Sequence, residues 1–143
     1  MAAAPPLQLV VLCGVIGSGK STLAEAIVEA DPEHWVRCNQ DELRRRAVVH
    51  ARAREALEAG HHVVIDRTNI DYRQRAEWLL LANEFRAAHP EGPAVRTCLV
   101  FLDTPAEECR RRLAERTNHP SIRRAEDAMR YVQVRLTQDP RHV

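Results

Sequence analysis

The chain has 143 residues, of which 45% are hydrophobic and 29% are charged, and its formal net charge is +1. This length suits one compact domain spanning residues 1–143, and the composition excludes a disordered or collagen-like chain. The sequence has no run of about 18 apolar residues that would predict a membrane span. No basic residue precedes the small apolar run at residues 1–6, so we expect no secretory signal. The near-neutral charge does not by itself indicate a polyanionic partner.

The cysteines point to a reducing environment. There are four, and none of them forms a C-x-x-C pair. Without a secretory signal, this pattern predicts free thiols rather than disulfides. We therefore expect a cytoplasmic or nuclear protein.

Short apolar runs alternate along the chain with longer amphipathic segments. Because such runs are typical of strands buried on both faces, the alternation predicts a parallel sheet with helices on both sides. The sequence therefore predicts an α/β fold, a three-layer sandwich around four parallel strands, with no fifth strand and a frayed tail at residues 139–143. The predicted strands are residues 7–13, 35–38, 62–65 and 95–102, and the predicted helices are residues 21–30, 41–59, 71–89, 105–116 and 121–137.

The segment GVIGSGKS at residues 14–21 matches the phosphate-loop pattern G-x-x-x-x-G-K-[ST] in full. Lys20 is the only lysine among 21 basic residues, and three of the five glycines lie within six residues of it. Glycines let successive backbone N–H groups point inward as an anion nest, and the following helix adds its positive N-terminus. Lys20 is predicted to reach the β- and γ-phosphates and Ser21 to bind Mg²⁺. The predicted nucleotide-binding residues of this loop are Gly14, Gly17, Ser18, Gly19, Lys20, Ser21 and Thr22.

Asp41 and Arg44 follow the second predicted strand, where ligands collect in a parallel sheet. If a helix starts near Asp41, the two residues share one face of it. A kinase needs a carboxylate to accept the proton of the attacking hydroxyl and a cation to fix the acceptor. The spacing is equally compatible with Asp41 as a helix N-cap and Arg44 as a solvated side chain.

Asp66 closes the third apolar run, where phosphate-loop enzymes place a second acidic residue. That residue either holds Mg²⁺ through water or orients a neighbouring cationic group. The alternative is a carboxylate that only satisfies loop amides. We list Asp66 with Ser21 as the predicted metal-binding pair.

Arginines crowd the segment that follows the fourth strand. Arg112 and Arg116 are four residues apart, just before the helix-breaking sequence TNHP. A helical lid at about residues 105–125 would place such side chains over the transferred phosphate and exclude water. The alternative is a solvated basic face that pairs with nearby glutamates, which we favour for most of the cluster but not for Arg116.

Taken together, these segments resemble the phosphate-loop polynucleotide 5′-kinases and their small-molecule kinase relatives. The similarity runs from about residue 9 to residue 130. Its more specific markers are a strand ending in x-N-x-D-x-x-R (residues 38–44) and a strand ending in D-x-T-N (residues 66–69). The resemblance implies that Asp41 is the general base, that Arg44 contacts the acceptor-end phosphate, and that Arg116, with Arg112 as a companion, binds the donor phosphates. Gln40 departs from the arginine of the phage-type enzymes at this position.

The leading functional hypothesis is therefore transfer of the γ-phosphate of ATP or GTP, with Mg²⁺, to the 5′-OH end of DNA or RNA. The expected catalytic residues are Lys20, Asp41, Arg44 and Arg116, and repair proteins are possible partners. Two alternatives remain open: a small-molecule kinase with the same machinery, and a nucleotide-binding switch module. The Asp41–Arg44 pair favours a kinase, because a switch has no use for an acceptor clamp.

Overall fold

A computed structural model describes residues 5–39, 45–114, 126 and 128–143 of the chain. Five strands form one sheet in the order β2-β3-β1-β4-β5. The first four strands run parallel, as predicted. The strands are β1 (Leu7–Cys13), β2 (Trp35–Asn39), β3 (His62–Asp66), β4 (Val95–Leu102) and β5 (Val132–Leu136).

The fifth strand corrects the sequence prediction. Residues 132–136 were predicted to continue a helix, but they pair antiparallel with β4, with Val134 opposite Val100. Most of β5 is exposed to solvent, as an edge strand can be when only one of its sides is paired. The sheet is therefore five-stranded and mixed rather than four-stranded and fully parallel.

Helices cover both faces of the sheet, and each face has its own apolar core. The α2 and α3 helices pack on one face and α1 packs on the other. Among the described residues, no helix is both long enough and apolar enough to cross a membrane. The helices are α1 (Lys20–Ala30), α2 (Arg46–Glu58), α3 (Tyr72–Ala88) and α4 (Ala106–Ala114).

The second helix begins later than the sequence predicted. Arg45 has extended backbone angles, φ −119° and ψ 137°, and α2 starts at Arg46. Asp41 and Arg44 lie outside the described part of the chain, so their common helical face stays a prediction.

The C-terminal residues are packed rather than frayed. A 3₁₀ helix at Pro140–His142 contacts α3, and half-buried Val143 packs against the core. Arg75 Nε donates a 2.8 Å hydrogen bond to the backbone oxygen of Val143. The expectation of a frayed tail at residues 139–143 was wrong, because these contacts hold the C-terminal residues against α3 and the core.

Candidate active site

The phosphate loop connects the end of β1 to the start of α1, as its sequence predicts. Gly17 and Gly19 have φ angles of 83° and 106°, in the left-handed region that glycine adopts without strain. Gly19 is the N-cap of α1 and provides no side-chain cap. The first N–H groups of α1 therefore have no side-chain acceptor at the cap position and are available to an anion.

The loop glycines are also required by close packing. A Cβ atom at Gly17 would lie 2.8 Å from the carbonyl oxygen of Cys109 in α4. A Cβ atom at Gly19 would lie 2.8 Å from the Cβ of Ala128. The loop backbone thus packs directly against the helical segments that follow β4. Any side chain at Gly17 or Gly19 would therefore push the loop backbone away from these segments.

One backbone carbonyl joins the loop to α4. The oxygen of Ser18 accepts a hydrogen bond from Thr104 Oγ1 at 2.9 Å and another from Arg112 Nη1 at 3.0 Å. Arg112 is in turn held by Glu108, with 3.1 Å between Nε and Oε1. Arg112 therefore lies at the phosphate loop, as predicted, but its described contacts hold the loop backbone. Its role in binding nucleotide stays a prediction.

The chemistry-bearing side chains of the loop stand at the start of α1. Lys20 Nζ donates a 2.9 Å hydrogen bond to the carbonyl oxygen of Val15, so the ammonium group bends back over the loop. Ser21 is exposed and Thr22 is half-buried in the same helical turn. A lysine head, a hydroxyl and open helix N–H groups at one place fit a polyphosphate with its Mg²⁺ ion.

Asp66 lies at the end of β3 and its carboxylate is buried. Its Oδ2 accepts hydrogen bonds from Arg37 Nε at 2.9 Å, from Arg37 Nη2 at 2.6 Å and from Asn39 Nδ2 at 3.2 Å. The parallel register places Asn39 beside Asp66, which brings these groups together. Of the roles considered from the sequence, these contacts favour orienting a neighbouring cation. Asp66 Oδ1 takes no part in these bonds, and its use toward Mg²⁺ stays a prediction.

Arg37 was missed at the sequence level. It stands inside the strand sequence WVRCN and its side chain is largely buried. A charged residue within a short apolar strand indicates a buried ion pair, because an unpaired buried charge is strongly destabilising. That signal was present, but the partner is 29 residues away and follows only from the register of the sheet.

Asn69 fastens the loop after β3 to the end of β1. It is buried, with a positive φ of 47°. Its Nδ2 donates to the carbonyl oxygen of Leu12 at 2.8 Å, and its Oδ1 accepts from Trp78 Nε1 at 3.1 Å. Next to it, the carbonyl of Thr68 accepts the Gly14 N–H at 2.9 Å. The D-x-T-N segment thus holds the first glycine of the phosphate loop.

We expect the variant Asn69→Gly to lower the free energy of unfolding by about 2–4 kcal/mol. Glycine tolerates the positive φ of this position, so backbone strain does not contribute. The buried Leu12 carbonyl and Trp78 N–H lose their partner, at roughly 1–3 kcal/mol. The greater backbone entropy of glycine in the unfolded chain adds roughly 0.5–1 kcal/mol. Urea denaturation measures this difference. In a Trp78→Phe background the same substitution should cost less, since that ring has no N–H to satisfy. A change below about 0.5 kcal/mol would contradict the assigned role.

Of the other arginines in the cluster, Arg111 lies in the described part of α4 and Arg116 lies outside it. Arg111, like Arg112, pairs with Glu108, which agrees with the solvated basic face considered as an alternative. Arg116 and the second half of the predicted lid, residues 115–125, lie outside the described part of the chain. The assignment of Arg116 to the donor phosphates stays a prediction.

All four cysteines are free thiols, as expected. Burial raises the pKa of Cys13 to about 12 and that of Cys38 to about 11. Both thiols therefore stay protonated near neutral pH, and neither is a nucleophile. Within the described ranges, no group of three or more His, Cys, Asp or Glu side chains could hold a metal ion.

A groove of about 530 Å³ opens between α2 and α3 and is lined by charged and apolar side chains, including His50, Glu77 and Leu80. The His50 ring stacks on Trp78 with 4.1 Å between ring centroids. Burial, with a contribution from Arg46, lowers the pKa of His50. None of the phosphate-loop residues, nor Asp66 or Arg112, is among the described residues that line this groove.

Comparison with known proteins agrees with this geometry. A family model described as "AAA domain" matches residues 9–136. The chain belongs to this AAA domain family. The match spans the phosphate loop, the D-x-T-N segment and β5, so the family assignment rests on nearly the whole chain.

The chain is also similar to two curated proteins and to one solved structure. "Transcription factor bHLH140" of Arabidopsis thaliana is 33% identical over 116 residues, covering 78% of this chain and 12% of that protein. The "Bifunctional polynucleotide phosphatase/kinase" of Schizosaccharomyces pombe is 41% identical over 78 residues, covering 54% of this chain and 19% of that protein. A chain in the "Structure of the Pnkp1/Rnl/Hen1 RNA repair complex" superposes with a TM-score of 0.63 at 22% identity, covering 89% of this chain and 45% of that one.

These matches confirm the resemblance to polynucleotide kinases that the motifs indicated. The solved structure, at its low sequence identity, shows a shared fold alone. The chain spans less than half the length of each of these relatives.

Proposed function

We propose that the chain is a phosphotransferase that moves the γ-phosphoryl group of ATP or GTP to the 5′-OH end of DNA or RNA. The observation that carries the proposal is the junction of the phosphate loop with the D-x-T-N segment, through the 2.9 Å hydrogen bond between Gly14 and Thr68. This contact sets the donor loop beside the carboxyl end of β3, the strand that pairs with β2. The similarity to the polynucleotide phosphatase/kinase of S. pombe supports the choice of acceptor.

In this proposal each residue has one task. The loop N–H groups and Lys20 hold the β- and γ-phosphates, and Ser21 with Asp66 holds Mg²⁺, which neutralises charge on the phosphate oxygens when bound. Asp41 accepts the proton of the 5′-hydroxyl as its oxygen attacks the γ-phosphorus and the bond to the β-phosphate oxygen breaks. Arg44 binds the phosphate next to the acceptor hydroxyl, and Arg116 binds the donor phosphates.

Partners and location follow from the same proposal. A nucleic-acid 5′-OH end is the expected substrate, and repair proteins are the expected partners. The four free thiols agree with a reducing compartment, for which we propose the cytoplasm or the nucleus.

The direct test is incubation with γ-labelled ATP and a 5′-OH oligonucleotide, beside the same oligonucleotide already carrying a 5′-phosphate and a panel of small alcohols. Label transfer to the 5′-OH strand alone is the expected result. Transfer to a small alcohol in preference to the strand would establish the small-molecule kinase instead. Slow hydrolysis without transfer to any acceptor would establish the switch module.

The variants Arg44→Ala and Arg116→Ala are expected to fail differently. Loss of Arg44 should raise the KM for the 5′-OH strand more than that for nucleotide, because its partner is an acceptor phosphate. Loss of Arg116 should lower kcat and weaken nucleotide use, with the acceptor KM less affected. Steady-state kinetics with each substrate varied in turn measures the difference.

The salt dependence of oligonucleotide binding is the control for the Arg44→Ala and Arg116→Ala variants. Oligonucleotide binding by the natural protein should weaken as salt increases, and Arg44→Ala should reduce the slope by about one released counterion or less. Equal defects in the two variants would contradict the division into an acceptor side and a donor side.

A further inference from the structure

Two large apolar side chains stand in solvent just after the D-x-T-N segment. Ile70 is 58% exposed and Tyr72 is 59% exposed. Both flank Asp71, which caps the start of α3 by accepting the Arg73 N–H at 2.7 Å. A short connection with polar residues would cap the helix equally well. The fold alone therefore does not require the exposed side chains of Ile70 and Tyr72 at these positions.

Arg73 braces the ring of Tyr72. Its Nε donates a hydrogen bond to the Tyr72 hydroxyl at 3.2 Å, and its guanidinium carbon lies 5.7 Å from the ring centroid. Arg73 is itself exposed. An aromatic ring and a positive charge are therefore held side by side at the surface. In a single-stranded nucleic acid a base can stack on such a ring while a neighbouring phosphate binds the charge.

The segment that presents these side chains is anchored to the phosphate loop. Asn69 is bonded to Leu12 at the end of β1, and Thr68 is bonded to Gly14. On the other side, Arg75 Nη1 donates to the carbonyl oxygen of Asn69 at 3.0 Å. The exposed side chains therefore have a fixed backbone at the edge of the sheet where the donor phosphates bind.

We propose that Ile70, Tyr72 and Arg73 form a stacking surface for the first nucleotides of a single-stranded acceptor. The Tyr72 ring stacks on a base near the 5′ end, Ile70 extends its apolar contact, and Arg73 binds a backbone phosphate. Stacking on an exposed ring requires a base whose face is open, so the surface favours single strands over blunt duplex ends. The proposal rests on the proposed function, because it assigns the acceptor of that same site.

The first test compares acceptors of different length. For a 5′-OH hexanucleotide, Tyr72→Ala should raise KM roughly 10-fold, as expected from the loss of one base–aromatic stack, with kcat and the KM for ATP unchanged. Tyr72→Phe keeps the ring and should stay near the natural value. For a nucleoside 3′-monophosphate the effect should be smaller, because this acceptor has only one of the nucleotides that the surface contacts.

Leu80→Ala is the matched control, since Leu80 is on the same helix and is 49% exposed. It should leave all constants unchanged. Thermal melting of each variant checks that the fold is intact, which the exposure of Tyr72 leads us to expect. An unchanged hexanucleotide KM in folded Tyr72→Ala would overturn the stacking surface while leaving the proposed function in place.

A binding measurement separates the two proposals further. A hexanucleotide with 2-aminopurine at one of its first two positions should lose fluorescence when it binds the natural protein, and Tyr72→Ala should remove most of that quenching. If the protein transfers phosphate to no strand but still quenches through Tyr72, the proposed function fails and the stacking surface stands. If neither binding nor transfer depends on Tyr72, the stacking surface is wrong.

Discussion

Replacing Lys20 with alanine is expected to reduce phosphoryl transfer by about 10³-fold or more. Lys20 is the only lysine of the chain and the only charged side chain of the phosphate loop. Its ammonium group donates a hydrogen bond to a loop carbonyl, that of Val15. The loss should therefore appear in turnover, while the folded state is preserved.

Single-turnover kinetics with thermal melting measures both parts of this expectation. Lys20→Arg is the matched variant, because it keeps the charge but presents a planar fork instead of a compact ammonium group. It should recover only a small part of the activity. If folded Lys20→Ala turned over as fast as the natural protein, the assignment of the phosphate loop to the active site would be wrong.

Replacing Asp41 with asparagine is expected to lower kcat by about 10²–10⁴-fold, the usual contribution of general-base catalysis. The amide has nearly the same shape but cannot accept the hydroxyl proton. Nucleotide affinity should stay close to that of the natural protein, because the predicted task of Asp41 concerns the acceptor. Equilibrium binding of a non-hydrolysable ATP analogue, beside kcat, separates the two effects.

Asp66→Asn is the comparison for this variant. Asp66 accepts two hydrogen bonds from Arg37, so its replacement removes the buried counter-charge of a largely buried guanidinium, leaves the more distant and exposed Glu25 at 3.7 Å, and should lower stability as well as activity. If Asp41→Asn instead abolishes nucleotide binding and spares the chemistry, Asp41 belongs to the metal side and Asp66 becomes the candidate base.

The sheet was predictable because its first four strands are short and rich in apolar residues. Residues 63–65, for example, are consecutive apolar residues, and such short runs between longer amphipathic segments are typical of strands in a parallel sheet. The phosphate loop was predictable for a different reason: its glycine spacing reflects backbone angles that other residues rarely adopt. Both signals are local, so a single sequence contains them.

The fifth strand was missed although its signal is also local. Val132, Val134 and Leu136 alternate with polar residues, and this period of two is typical of a strand. The preceding polar and basic segment suggested a helix, and the prediction extended it too far. An edge strand that is mostly exposed buries little apolar area, so its pattern is weaker than that of β1 or β3.

The contacts that shape the site could not be predicted from the sequence. The Ser18 carbonyl and the Arg112 guanidinium are 94 residues apart, and Asn69 and Leu12 are 57 apart. Such pairs depend on strand order and register, which hydrophobic patterning does not determine. The motifs located the site, while its internal bonding required the structure.

The double hydrogen bond at the Ser18 carbonyl has a consequence for binding thermodynamics. Thr104 and Arg112 already hold the loop backbone, so a nucleotide does not have to order it at a cost of roughly 1–2 kcal/mol per residue. In the proposed function, the Lys20 side chain would still have to leave Val15 and become fixed, at roughly 0.5–1.5 kcal/mol. Most of the entropic penalty of forming the loop would therefore be incurred during folding rather than when a nucleotide binds.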